Sequence, residues 1–208
     1  MRIAPEGRWF VLGAAAVAAA LAGTGHWAAF LLWLPVAGWV AWFFRDPVRA
    51  GARGPELILA PADGRVVSLA EVEEPSFFGE IATRISIFMN VFDCHVNRYP
   101  TDGTVVYRHY NRGKFLHAAA EKSSLDNEQS SVGLLTPHGK VLIRQIAGLI
   151  ARRIVTDHPV GAVVRQGERL GMIRFGSRVD LFLPRGTRTL VQVGDVTRVG
   201  VTPVAQWS

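Results

Sequence analysis

From Trp9 to Phe44 the chain carries no Asp, Glu, Lys or Arg, and this stretch constrains the fold more than any other feature. Only Gly23-Thr24-Gly25-His26 and Pro35 interrupt it. An uncharged apolar run of this length needs lipid or a large core to cover it. Read as helices, Trp9–Ala22 and Trp27–Phe44 each fall somewhat short of the roughly 20 residues that a spanning helix uses. Joined by a glycine-containing turn, they predict a tight hairpin that spans with local thinning or dips into one leaflet. Arg2 and Arg8 flank one end; Arg45, Arg49 and Arg53 flank the other. Positive charge on both sides predicts both ends on the cytoplasmic face. Trp9, Trp27, Trp39 and Trp42 suit the headgroup boundary.

Two other readings compete. Arg2, Arg8, the apolar run and Ala20-Leu21-Ala22 have the layout of a signal peptide, but a second apolar segment follows at once and still anchors the product. A buried core hairpin is opposed by the length of chain without charge. Membrane attachment is the stronger reading.

The net charge of +6 and a pI near 10.2 suit an anionic partner. Residues 1–54 hold five arginines against Glu6 and Asp46, and the remainder shares the rest of the excess. Apart from Arg152-Arg153 those basic residues are scattered, with no zinc-finger, RRM or helix-turn-helix pattern, so nucleic acid is not the expected partner. A membrane surface or a small anion is. Cys94 is the single cysteine, which excludes a disulfide-stapled scaffold.

The stretch from Arg45-Asp46-Pro47 to Pro55 reads as a linker, dividing a membrane-anchoring segment (1–54) from one domain (55–208). In that domain β-rich runs alternate with turn signals. The expected strands are Leu57–Ala60, Arg65–Val72, Ile81–Met89, Thr104–His109 and Ser131–Leu135. Val141–Ile146, Leu170–Phe175, Val179–Leu183 and Thr189–Val193 complete them. Ala62-Asp63-Gly64, Thr136-Pro137-His138-Gly139 and Arg165-Gln166-Gly167-Glu168 are turns. Ala147–Val155 reads as a short helix or irregular crossover, and Ala118–Gln129 as a polar loop. The fold class is mainly β or α+β: a compact β-rich catalytic domain preceded by a hydrophobic helical hairpin.

Standard phosphate-loop, dinucleotide, zinc-protease and paired-cysteine motifs are absent from the sequence, and the histidines lack zinc spacing, so no metal is expected. Three local features remain. Ala60-Pro61-Ala62-Asp63-Gly64 puts a carboxylate on a turn just before a strand. Asp93-Cys94-His95-Val96-Asn97-Arg98-Tyr99-Pro100 is a polar cluster after an apolar strand. Arg174-Phe175-Gly176-Ser177-Arg178-Val179-Asp180 sits between two strands. Each alone has an ordinary reading: a turn aspartate, a strand-end loop with a hydrogen-bonded histidine, a glycine bulge.

Together with further segments they resemble the phosphatidylserine decarboxylase proenzymes of the short, single-domain class. The resemblance starts at Phe43-Phe44-Arg45-Asp46-Pro47 and includes Gly113-Lys114-Phe115-Leu116 and Asp126-Asn127-Glu128. Its most specific stretches are Arg144-Gln145-Ile146-Ala147-Gly148-Leu149-Ile150-Ala151-Arg152-Arg153 and Gly167 through Asp180.

The resemblance implies a carboxy-lyase that cuts itself between Gly176 and Ser177, the one Gly-Ser dipeptide in the chain, into a large β and a small α subunit. The Ser177 hydroxyl attacks the Gly176 carbonyl, an ester forms, and elimination followed by hydrolysis leaves a covalent pyruvoyl group and ammonia. A hydroxyl is a weak nucleophile and needs a base. The resemblance gives His95 that part and Asp63 the part of its orienting carboxylate. One departure stands out: long-form members carry two histidines in an H-x-x-H-x-P pattern, whereas here the second position is Arg98. Cys94 reads as a packed neighbour.

The implied reaction converts phosphatidylserine to phosphatidylethanolamine through a Schiff base to the pyruvoyl ketone, which acts as the electron sink. Arg98, Arg112 and Lys114 are candidates for the substrate phosphate. The implied partners are phosphatidylserine in the bilayer, the membrane and the chain's own two subunits, at the cell membrane with the domain on its cytoplasmic face. Two alternatives stay open: a pyruvoyl decarboxylase for a soluble amino acid, and a non-enzymatic membrane-tethered β-domain adaptor.

Overall fold

Alanine and leucine are strong helix formers, and the apolar run folds as two helices. The computed structural model describes residues 2–113, 127–148, 153–174 and 177–207. A short strand, β1 (Arg2–Ile3), precedes α1 (Arg8–Gly23) and α2 (Trp27–Phe43), and β2 (Arg45–Asp46) follows. Both helices end within a residue of the expected limits. Gly25, in the left-handed region at φ 75°, reverses the chain between them. Trp33 Nε1 donates to the Ala14 carbonyl at 2.9 Å, an approach that a small residue at 14 permits. β1 pairs antiparallel with β2, and the Ala4 N–H donates to Phe44 O at 2.8 Å. Arg2, Arg8 and Arg45 therefore gather at one end of the hairpin. Trp9, Trp27, Leu31 and Leu32 are exposed. Among the described residues, no helix is long and apolar enough to cross a membrane.

The chain divides into two units, Met1–Val48 and Arg49–Ser208. The second begins with β3 (Leu57–Leu59), β4 (Gly64–Glu74), β5 (Glu80–Met89), β6 (Val96–Arg98) and β7 (Gly103–Asn111). It continues with β8 (Gln129–Thr136), β9 (Gly139–Ala147), β10 (Ile154–Thr156), β11 (Val163–Val164) and β12 (Arg169–Ile173). It ends with β13 (Ser177–Pro184), β14 (Arg188–Thr189), β15 (Val196–Thr197) and β16 (Pro203–Gln206). Eight of these form an antiparallel sheet in the order β11-β7-β8-β9-β13-β5-β4-β15. Two three-stranded sheets, β10-β12-β6 and β14-β16-β3, accompany it. The β-rich class expected from the sequence is the one observed.

Alternation along β13 divides its side chains between two buried faces. Val179, Leu181 and Leu183 join Ile85, Ile87, Val132 and Ile143 in the main core. Phe182 packs on the other face with Phe78, Ala82 and Leu142. Beside it lie two ion pairs. Arg178 grips Asp180 through Nε and Nη2, both at 2.9 Å. Arg144 Nη2 meets Glu74 Oε1 at 2.7 Å while its guanidinium lies 4.8 Å from the Phe182 ring centre. Breaking a pair as buried as Arg178–Asp180 costs about 3–5 kcal/mol, because the partner's charge is stranded.

Four details differ from the sequence reading. Val96–Arg98, expected in a loop, is strand β6. Ile154–Thr156 is strand β10, where a helix or crossover was expected, and residues 149–152 of that segment lie outside the described residues. Of the expected strand Thr189–Val193 only Thr189 lies in a strand, β14; the Leu190 N–H still donates to the Val204 carbonyl at 2.9 Å, and beyond it the Asp195 carboxylate accepts the Gln192 N–H at 2.9 Å in a turn. The expected linker is docked from Arg49 onward: Gln166 Nε2 donates to the Leu57 and Gly54 carbonyls at 2.7 and 3.3 Å, and a Cβ on Gly51 would meet a Val201 methyl at 2.9 Å. Most of the expected loop Ala118–Gln129 lies outside the described residues.

Candidate active site

Ser177 is the first residue of β13, the strand between β9 and β5, and it pairs with Ala147 on one side and Met89 on the other. Its alternation partners are Val179 and Leu181, so its side chain enters the main core and is fully buried. The hydroxyl donates to Met89 Sδ at 3.8 Å. A thioether is a weak acceptor and no base, so this contact positions the hydroxyl without activating it.

A second donor reaches the same sulfur. Asn97 Nδ2, from β6, lies 3.6 Å from Met89 Sδ. The orientation of that carboxamide is set from behind. Gln145 Nε2 donates to Asn97 Oδ1 at 2.9 Å, Thr156 Oγ1 donates to Gln145 Oε1 at 3.0 Å, and the Ser130 hydroxyl meets Thr156 at 2.8 Å. Asn97 and Gln145 are fully buried, and this chain satisfies groups that would otherwise be expensive to bury.

His95 immediately precedes β6 and is fully buried. Its Nδ1 lies 3.0 Å from the Asp93 carbonyl oxygen. A carbonyl only accepts, so Nδ1 carries the proton and Nε2 is the basic nitrogen of the neutral ring. The Ile173 N–H donates to the His95 carbonyl at 3.3 Å, which ties the histidine to the end of β12, four residues before Ser177.

Asp63 sits on the turn into β4. Its Oδ1 accepts the Val199 N–H at 2.7 Å and its Oδ2 accepts from Arg49 Nη2 at 2.6 Å. Both oxygens thus have partners other than His95. The turn is nevertheless joined to the histidine's strand, since the Arg98 N–H donates to the Pro61 carbonyl at 3.1 Å. Gly64 is required here: its φ is 146°, and a Cβ would lie 2.1 Å from the Phe88 carbonyl oxygen.

The other candidates fare differently. Arg98 is half-buried, with Nη1 donating to the Gly167 carbonyl at 3.0 Å. Arg112 is exposed just past β7. Lys114 and Gly176 lie outside the described residues. Cys94 is buried beside His95 in sequence. Among the described residues, no group of three or more His, Cys, Asp or Glu side chains is placed to hold a metal ion. A depression lined by His138, Pro184 and Trp207 lies at the Pro184 end of β13. Seven strand residues, roughly 23 Å, separate it from Ser177, so it belongs to a different part of the surface.

Sequence reasoning overlooked Arg49, Met89, Asn97 and Gln145. Gln145 carried a signal: it shares strand parity with Val141 and Ile143, both fully buried in the core. Arg49 carried none, lying in a stretch with the composition of a linker.

The phosphatidylserine decarboxylase family model matches residues 36–205 of the chain. A phosphatidylserine decarboxylase proenzyme of Magnetococcus marinus is 45% identical over 208 residues, covering 98% of this chain and 94% of its own length. The proenzyme of that name from Symbiobacterium thermophilum is 46% identical over 205 residues, covering 98% of this chain and 95% of its own. One from Cereibacter sphaeroides is 45% identical over 188 residues, covering 85% and 81%.

Proposed function

We infer, from the fact that this chain belongs to the phosphatidylserine decarboxylase family, that it removes the carboxyl group of phosphatidylserine to give phosphatidylethanolamine. It is a carboxy-lyase made as a proenzyme, and its prosthetic group is a pyruvoyl formed from one of its own serines. The pyruvoyl supplies a ketone that takes up the substrate amine and draws off the electron pair released as carbon dioxide departs.

We assign that serine to Ser177. One observation carries the assignment: its hydroxyl is fully buried at the head of β13 and, among the described residues, its side chain has only a thioether as acceptor. A core serine with a structural task normally gives its proton to a carbonyl. Here the proton rests on a weak acceptor, so an approaching base has no strong hydrogen bond to displace. In this reading His95 Nε2 takes it as the hydroxyl attacks the carbonyl of the residue before Ser177, the cut falling between Gly176 and Ser177. Asp63, on the turn joined to the histidine's strand through Pro61, offsets the positive charge that develops on the ring. In the mature enzyme His95 returns a proton to the carbon that lost carbon dioxide. Arg98 and Arg112, with Lys114, supply positive charge for the substrate phosphate.

We read the apolar hairpin as the membrane anchor and the rest as the catalytic domain. Exposed Trp9, Trp27 and Leu32 support that reading, as does the gathering of Arg2, Arg8 and Arg45 at one end. At 1.5 Å per residue each helix is roughly 25 Å long against a hydrocarbon layer of about 30 Å, and because the two helices form a hairpin the chain enters and leaves by the same face, which we take to be cytoplasmic.

The test is Ser177→Ala in the full chain. It should run as one band on a denaturing gel and lack decarboxylase activity. Two normal fragments from that variant would overturn the assignment.

A further inference from the structure

The Asp63 carboxylate is held from two sides by parts of the chain far apart in sequence. Val199, beyond Ser177, gives its N–H to Oδ1, and Arg49, before the first strand of the second unit, gives Nη2 to Oδ2. The backbone around Asp63 is fixed as well: Thr197 Oγ1 donates to the Ala62 carbonyl at 3.0 Å, and Gly64 passes against the Phe88 carbonyl. What remains free in such a turn is the torsion of the carboxylate and the balance of its charge. Arg49 answers for both. The two side chains are only 15% and 12% exposed, so water screens the pair incompletely and a carboxylate left there alone would be poorly solvated.

We propose that Arg49 is a positioning residue for self-cleavage: it sets the direction of the Asp63 carboxylate and balances its charge. The segment between the helical hairpin and β3 is then a working part of the catalytic unit and not a tether. This inference rests on the reading of Asp63 as a member of the self-cleavage site. Arg49 touches neither Ser177 nor His95 in this arrangement, so its effect passes through Asp63 alone. That restriction gives the inference its test.

The experiment is a time course of self-cleavage in the full chain, read as fragments 1–176 and 177–208 on a denaturing gel, with thermal unfolding measured in parallel. Arg49→Ala should cut about tenfold more slowly than wild type, and Arg49→Lys should regain most of that loss by restoring the charge without the planar fork. Guanidinium chloride at non-denaturing concentration should speed Arg49→Ala several-fold, while leaving wild type and the Arg49→Ala/Asp63→Asn double variant unchanged. The double variant should cut no more slowly than Asp63→Asn alone, because both substitutions act on one group. Arg49→Met, which keeps the apolar stem, repeats the measurement if the alanine variant does not fold. Wild-type cutting in Arg49→Ala or Arg49→Met would overturn the inference, as would losses that multiply in the double variant or guanidinium rescue without the carboxylate. Wild-type cutting in Asp63→Asn would instead remove the underlying reading of the site.

Discussion

Ser177 and Met89 face each other across β13 and β5, and the serine hydroxyl donates to the methionine sulfur at 3.8 Å. A thioether has no useful basicity, so the group that removes the proton must be another one. His95, with Nδ1 donating to the Asp93 carbonyl, carries its basic nitrogen at Nε2 in the neutral ring. His95→Ala should therefore leave the proenzyme almost uncut, whereas Asp63→Asn should cut slowly, because an amide holds position but does not offset charge. Raising the pH should partly restore cutting in His95→Ala as hydroxide substitutes for the base. A gel time course across pH reads all three.

The carboxamides of Asn97 and Gln145 are the next point of test. Gln145→Leu strands the Asn97 side-chain oxygen in the core, while the half-buried Thr156 hydroxyl keeps Ser130, at a cost of about 1–3 kcal/mol by denaturant unfolding. Asn97→Leu/Gln145→Leu should lose less than the sum of the single variants, since the two groups share one hydrogen bond. Strict additivity would mean that the pair is not coupled.

Self-cleavage before Ser177 should not release the small fragment. β13 is hydrogen-bonded to β5 along one edge and β9 along the other, and Val199 and Thr197 bind the Asp63 turn of the large fragment. Fragments 1–176 and 177–208 should co-elute in detergent on a sizing column and separate only in denaturant. Separation without denaturant would contradict this arrangement.

Acid should weaken the fold through Glu74. Burial pushes its carboxyl upward, but the Phe78 and Phe77 N–H groups and the Arg144 guanidinium outweigh that, leaving it below its ordinary 4.5. A carboxyl whose folded value is lowered contributes stability above its unfolded value and loses it as the pH falls through the folded one. Wild type should therefore lose melting temperature below about pH 4.5, and Glu74→Gln should show a shallower decline over the same range. Parallel curves would remove Glu74 as a source of the acid sensitivity.

Much of this was legible in the sequence, for identifiable reasons. The hairpin limits followed from Gly23 and Gly25 and from the absence of charge. Strands such as Ile81–Met89 and Val141–Ile146 followed from alternation and β-branching. β6 was hidden because Val-Asn-Arg has the polarity of a loop, and its partners, Gln145 on β9 and Gly167 in the turn before β12, are distant in sequence. β10 was missed although Ile154-Val155-Thr156 is a β-branched run. Ser177, His95 and Asp63 stood out through a resemblance, whereas Arg49 did not, because an arginine in a Gly/Pro/Ala stretch becomes visible only once Asp63 is seen beside it.

The most direct measurement of the central claim is the intact mass of the purified full-length protein. Two species are predicted, residues 1–176 and a 177–208 peptide that has no free N-terminal amine and is lighter than a serine-started peptide by one ammonia. A single uncut chain, or a small fragment that begins with an ordinary serine, would contradict it.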